Sequence, residues 1–206
     1  MKDIIGLAVL AWPLTLLILI GLAFMVVVPL AIVYAKRTAG SKWRWGVGAF
    51  LLVFLPIFWD WLPTVATHQY YCAKDSGFWV YKTLEQWKDE NPGVMETLVY
   101  NKGEPSSRQG DMQNYADTYF VNQRINWVVR HNGQFLFNRW RHERELLDTK
   151  THVLLARYVD FSTSQEQRQA GWSGWKFWLD IEHCIGGREQ AISSAKFFQQ
   201  FKGAEK

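Results

Sequence analysis

From Ile4 to Ala35 the chain carries no charged side chain. A helix of that length rises about 48 Å, longer than the roughly 20 residues that one bilayer crossing needs and too short for two. A chain that begins this way is expected to be held at a membrane, and the rest is read under that constraint. Pro13 and Pro29 fall inside the run. Because proline removes a helix hydrogen bond, Trp12-Pro13 is expected to mark the outer entry, with Ile4 to Ala11 along the interface and a kink at Pro29. A cleaved signal peptide fits less well. Its charged start would be only Lys2 beside Asp3, and the apolar run exceeds the usual stretch of about 7–15 residues.

A second span is expected over Trp45 to Leu62, flanked by Trp43 and Trp45 at one end and Trp59 and Trp61 at the other, where indole rings sit at headgroup depth. Between the two spans lie Lys36, Arg37, Lys42 and Arg44. Cations in a short loop mark the cytoplasmic side, so loop 36–44 is expected inside and both termini outside. This is the topology of a multi-pass protein of a bacterial inner (plasma) membrane whose later residues form a periplasmic domain. Asp60 is expected to be a hydrated interfacial carboxylate.

The mean hydropathy of −0.16 hides a composition break near Thr64. Residues 1–64 hold five Lys/Arg and two Asp/Glu, and residues 65–206 hold eighteen and seventeen. The predicted organisation is therefore a two-helix membrane anchor over 1–64 and one extracytoplasmic soluble domain over 65–206. A near-neutral domain lacks the basic excess of a nucleic-acid binder, so nucleic acid is excluded as an expected partner.

Placed outside the cell, Cys72 and Cys184 are expected to form a disulfide. The competing reading is a zinc or copper(I) site made with His68 and His183. Its spacing matches no zinc-finger pattern, so no metal or other cofactor is expected.

The soluble domain reads as α+β, an antiparallel meander sheet followed by a C-terminal helix. Gly77 to Lys82 alternates as a strand. Thr83 and Gln86 have capping-box spacing for a short helix that ends at Asn91-Pro92-Gly93. Residues 104–110 (EPSSRQG) read as a loop. The meander is predicted as Tyr119–Arg130, Phe135–Leu147 and His152–Phe161, its first turn placed at Asn132-Gly133, the strongest short hairpin signal. That register sets Ile125 opposite Trp140, and Trp140 opposite Val159, on an apolar face. It sets Arg124 opposite Arg141, and Arg139 opposite Asp160, on a polar one. After a loop over Ser162–Gly174, the alternating Trp175, Phe177, Leu179 and Ile181 predict another strand. Arg188 to Phe201 then forms an amphipathic helix with Ile192, Ala195 and Phe198 inward.

Three arginines on one pleated face, Arg124, Arg139 and Arg141, with Asn122 and Asn126 between them, form a candidate anion-binding face. Trp172 and Trp178 are candidate interface aromatics, since the core argument does not place them; Trp79 and Trp87 are also left over. No nucleophile or metalloprotease motif occurs. His142 and its neighbours Glu143 and Glu145 point to opposite faces of a strand, so an enzyme is not expected. The first functional expectation is an accessory or interaction protein of the cell envelope, which presents its outer domain to a protein partner while lipid surrounds the anchor. The second is an extracytoplasmic binding or sensing module for an anionic or sugar-like ligand. The sequence leaves partner, ligand and oligomeric state open.

Overall fold

Period-two alternation of apolar and polar side chains runs through most of residues 114–162, and in the computed structural model it becomes the body of a twisted sheet. The structure describes all residues except 1, 39, 102–106, 112, 135–138, 164–178, 182 and 205–206; for 2–17 and 134 it describes the backbone alone. The chain divides into two compact units, Met1–Pro63 and Thr64–Lys206.

In the first unit a single helix, α1 (Lys2–Arg37), runs through both Pro13 and Pro29, and α2 (Lys42–Phe58) follows the basic turn. Phe24 meets Phe50, and Tyr34 meets Trp45, with ring centroids 5.1 and 5.2 Å apart. Within α1, Ile18–Arg37 is long and apolar enough to cross a membrane; an N-terminal signal sequence has the same length and composition. The expected second span is not one straight helix. α2 has 17 residues, and the chain bends by 51° at a short break before α3 (Trp61–Asp75). The two helices reach the length and apolarity of a span only when taken together.

Among the described residues the second unit is built on a six-stranded antiparallel sheet. Its strands are β1 (Gly77–Val80), β2 (Ser107–Gly110), β3 (Asn114–Phe120), β4 (Ile125–Gln134), β5 (Arg139–Asp148) and β6 (Leu154–Ser162), in the order β1-β6-β5-β4-β3-β2. Between β1 and β2 lies α4 (Leu84–Glu90), started by the expected capping box: Gln86 N donates to Thr83 Oγ1 at 3.3 Å, and Thr83 N donates to Gln86 Oε1 at 3.0 Å. Helix α5 (Gly187–Gln199) closes the chain over one sheet face. Its Phe198, with Phe201 just beyond the helix, packs among Trp87, Ile125, Leu146, Leu155 and Ala156 in the main core.

The structure departs from four sequence expectations. The β4–β5 turn is not at Asn132-Gly133, because β4 continues to Gln134 and pairs there with Arg139. Gly133 serves packing instead: it lies opposite Trp140, and a Cβ on it would come within 2.8 Å of the indole. Asn122 makes the turn that the pattern hid, its side-chain oxygen accepting from Arg124 N at 2.9 Å and Ile125 N at 2.8 Å, so Tyr119–Arg130 is two strands rather than one. Second, Trp140 pairs with Ser162, not Val159, and His142 pairs with Asp160. An odd shift in register exchanges sheet faces, so Asp160 leaves the arginine face and Val159 joins it. Third, Ser107–Gly110 is an edge strand rather than loop. Fourth, in α5 the inward stripe follows Gly187, Ser194 and Phe198, while Ile192 stays half exposed. Of the predicted strand near 175–181, residues 175–178 lie outside the described residues.

Candidate ligand-binding cleft

Alternation on β5 and β6 sends Arg141, Glu143 and Glu145, together with Arg157, Val159 and Phe161, to the sheet face opposite α5. Helix α3 lies on that face. Its Tyr71 ring is 5.7 Å from the Phe161 ring, and Tyr71 and Cys72 pack against Val159, Phe161 and Cys184. The helix is fixed there covalently, because Cys72 and Cys184 form a disulfide with Cα atoms 5.5 Å apart. His68 is buried beside it, one turn earlier, its Nε2 donating to the Phe161 carbonyl at 3.1 Å. The His68 ring and both sulfurs stand within 4.8 Å of one another, but sulfurs bonded to each other present no thiolate to a metal. His183, the fourth residue of the metal reading, turns to Asp160 instead.

Beside α3 the sheet face opens into a cleft of about 730 Å³, within the range of about 300–1,000 Å³ typical of small-ligand sites. Among the described residues four cations line it, Lys74 from α3, Arg139 and Arg141 from β5 and Arg157 from β6, against one acid, Asp75. Asn114 and Asn132, paired across β3 and β4, add two amides. Trp79, opposite Arg157 on β1, forms a wall. The Arg139 guanidinium lies 3.6 Å from the Tyr71 ring centroid, a cation–π contact that holds it at the rim.

Glu143 organises the floor. It is buried, pairs closely with Arg157 and lies 3.5 Å from Arg141 Nη2. Glu145 pairs closely with Arg130 and at 3.8 Å with Arg157. These carboxylates hold the guanidiniums in place and neutralise them in part. Among the described residues the buried Arg141 Nε has no hydrogen-bond acceptor, an uncommon cost for a buried polar group.

Arg139 and Arg141 are therefore brought together, but Arg124 is not with them. It precedes β4, and its guanidinium grips Asp148 at 2.7 and 3.2 Å and Asn91 at 2.9 Å. Asp148 is almost wholly buried and also accepts from Trp87 Nε1 at 2.8 Å. Trp87 is thus a core residue and Trp79 a cleft residue. Asn122 makes its turn and binds the Phe201 carbonyl at 2.7 Å; it does not face the cleft. Trp172 and Trp178 lie outside the described residues. Sequence reasoning missed Arg157, Lys74 and the two cleft asparagines because the register of β6, the docking of α3 and the extension of β4 to pair Asn132 with Asn114 and Arg141 bring them there.

The other face carries a polar network that the sequence reading also missed. Asp160 is buried, with His183 Nδ1 and Tyr158 Oη at 2.7 and 3.0 Å from one oxygen and the Phe161 and Cys184 amides at 2.9 and 3.0 Å from the other. His142 Nε2 is 2.8 Å from Ser162 Oγ, and its Nδ1 is 2.8 Å from Nδ1 of His131. Burial pushes the His142 imidazole down to about 4, helped by His131, Arg144 and His183 and opposed by Asp160. Burial likewise pushes the Tyr158 phenol upward, with Asp160 adding to it. A carboxylate with both oxygens occupied ties β6 to the start of α5, where Gly187 lies over Asp160, and the neutral His142 joins β5 to Ser162 of β6.

Comparison with known family models, with curated proteins and with solved structures found no match to this chain.

Proposed function

We propose that this chain is a membrane-anchored extracytoplasmic binding module that holds an anionic ligand in the cleft between α3 and the sheet. The observation that carries the reading is the convergence of Lys74, Arg139, Arg141 and Arg157 on one concave surface. Guanidinium forks held by neighbouring carboxylates suit planar anions. In this reading α1 crosses the membrane, α2 with the start of α3 returns through it, and the basic loop 36–44 stays inside. The disulfide supports an outside domain, since such bonds persist in oxidising compartments.

The test is thermal unfolding of the full chain in detergent with and without millimolar inorganic phosphate or sulfate. A ligand that binds the folded state raises the melting temperature. The reading expects a rise in the wild type that Arg141→Ala abolishes and Arg124→Ala retains from a lower starting point. No rise in the wild type, or an equal rise in Arg141→Ala, would sink it.

A second reading, an accessory protein that docks an envelope partner, is favoured by one feature. Edge strand β2 has all four residues exposed, and such an edge can receive a partner strand. Its shortness limits the hydrogen bonds on offer, which leaves the cleft as the stronger site.

A further inference from the structure

The cleft joins its positive charge to a flat aromatic surface that the backbone is shaped to hold. Gly77 and Trp79 stand two apart on β1 and share a sheet face. A Cβ on Gly77 would lie 2.8 Å from the Trp79 ring, so only a residue without a side chain lets the indole lie down on the strand. Trp79 is nonetheless 40% exposed as a residue and lines the cleft. The indole is thus backed by the bare main chain at Gly77 while part of Trp79 stays open to the cleft.

The polar groups around this platform discriminate among anions. A compact polyphosphate calls for undiluted positive charge and a cradle of backbone N–H groups, usually at a helix N-terminus. Here Arg141 and Arg157 are partly neutralised by Glu143 and Glu145, and the nearest helix end is the C-terminal turn of α3 with Lys74 and Asp75, whose carbonyls repel dense negative charge. Asp75, Asn114 and Asn132 are suited to hydroxyl groups, because a carboxylate accepts and an amide both accepts and donates. Spaced guanidiniums suit single carboxylates set apart along a ligand. A stacking platform, hydroxyl partners and spaced cations together describe a sugar that carries carboxylates.

We infer that the cleft binds an acidic saccharide, a glycan bearing uronic acids, with one pyranose ring stacked on Trp79 and its carboxylates at Arg139 and Arg141. This rests on the cleft being an anion site, and the experiment separates the two ideas. Full-length protein is purified in a detergent without a sugar headgroup and titrated calorimetrically with a galacturonic-acid tetramer, a neutral glucose tetramer and inorganic phosphate. Saturable binding of the acidic tetramer is expected, with the neutral one at least tenfold weaker. Trp79→Ala should weaken the acidic tetramer tenfold or more and leave phosphate unchanged, whereas Arg141→Ala weakens both. Gly77→Ala, which displaces the indole without removing it, should repeat the Trp79→Ala result. Binding of phosphate but not of the acidic tetramer overturns the saccharide assignment and leaves the anion site standing. Equal affinity of wild type and Trp79→Ala for the tetramer also overturns it. Failure of both acidic ligands overturns both ideas.

Discussion

Asp148 and His142 sit on one face of β5, and the surroundings of each favour opposite charge states. Burial opposes charge on Asp148, but the Arg124 guanidinium, the Trp87 indole and the Lys150 and Thr151 amides outweigh it and bring the carboxyl to about 2. An unfolded aspartate titrates near about 3.9. The stabilisation from Asp148 is therefore complete above that value and lost as pH falls toward 2, up to about 2.5 kcal/mol. His142 is held near 4, below the unfolded value of about 6.5. Its protonation disfavours the fold, so stability is full above 6.5 and declines, by at most about 3 kcal/mol, as pH falls to 4. Urea unfolding measured from pH 8 to 2 should show both declines, and His142→Gln should remove the upper one alone. Arg124→Ala leaves Asp148 buried and unpaired, and the same urea measurement at pH 7 should record a loss of about 3–5 kcal/mol.

At the scale of elements, glycine placement controls two aromatic rings. Gly133 in β4 makes room for Trp140 as Gly77 in β1 makes room for Trp79. Gly133→Ala would drive a methyl into the Trp140 ring, and overpacking of this kind costs about 1–3 kcal/mol; thermal unfolding checks it. This also explains how an Asn-Gly pair misleads. The dipeptide is a hairpin signal because glycine tolerates a left-handed turn, but here its missing side chain is used for a cross-strand neighbour. The capping box of α4 was legible because all its partners lie within four residues, as were the length of α1 and the position of α5.

For the whole molecule, the bridge between Cys72 and Cys184 spans a sequence separation of 112 residues and ties α3 to the segment before α5. Closing a loop of this size restricts the unfolded chain by about 4–5 kcal/mol in the chain-entropy model. Cys72→Ser, or addition of a dithiol reductant, should lower stability by about that amount, read as a lower urea midpoint. If α3 then loosens, the cleft loses one wall, so anion binding should weaken in parallel with stability.

Sequence alone determined what depends on near neighbours or on composition: an apolar N-terminal helix of membrane length, an α+β domain with an antiparallel sheet, a capped α4, and a pair of cysteines suited to a bridge. It also named Arg139 and Arg141 as two side chains of one strand face, because alternation along β5 needs no partner to be read. Tertiary structure decided the rest. A pattern of period two repeats itself every second residue, so several registers bury similar side chains, and only the turn at Asn122 and the rings over Gly133 select among them. That selection sent Arg124 into a buried pair with Asp148, moved Asp160 to the opposite face, and gathered Lys74 and Arg157 beside Arg139 and Arg141. The cleft exists because residues about 70 positions apart meet on one face once α3 is docked, and long-range docking leaves no local trace in a sequence.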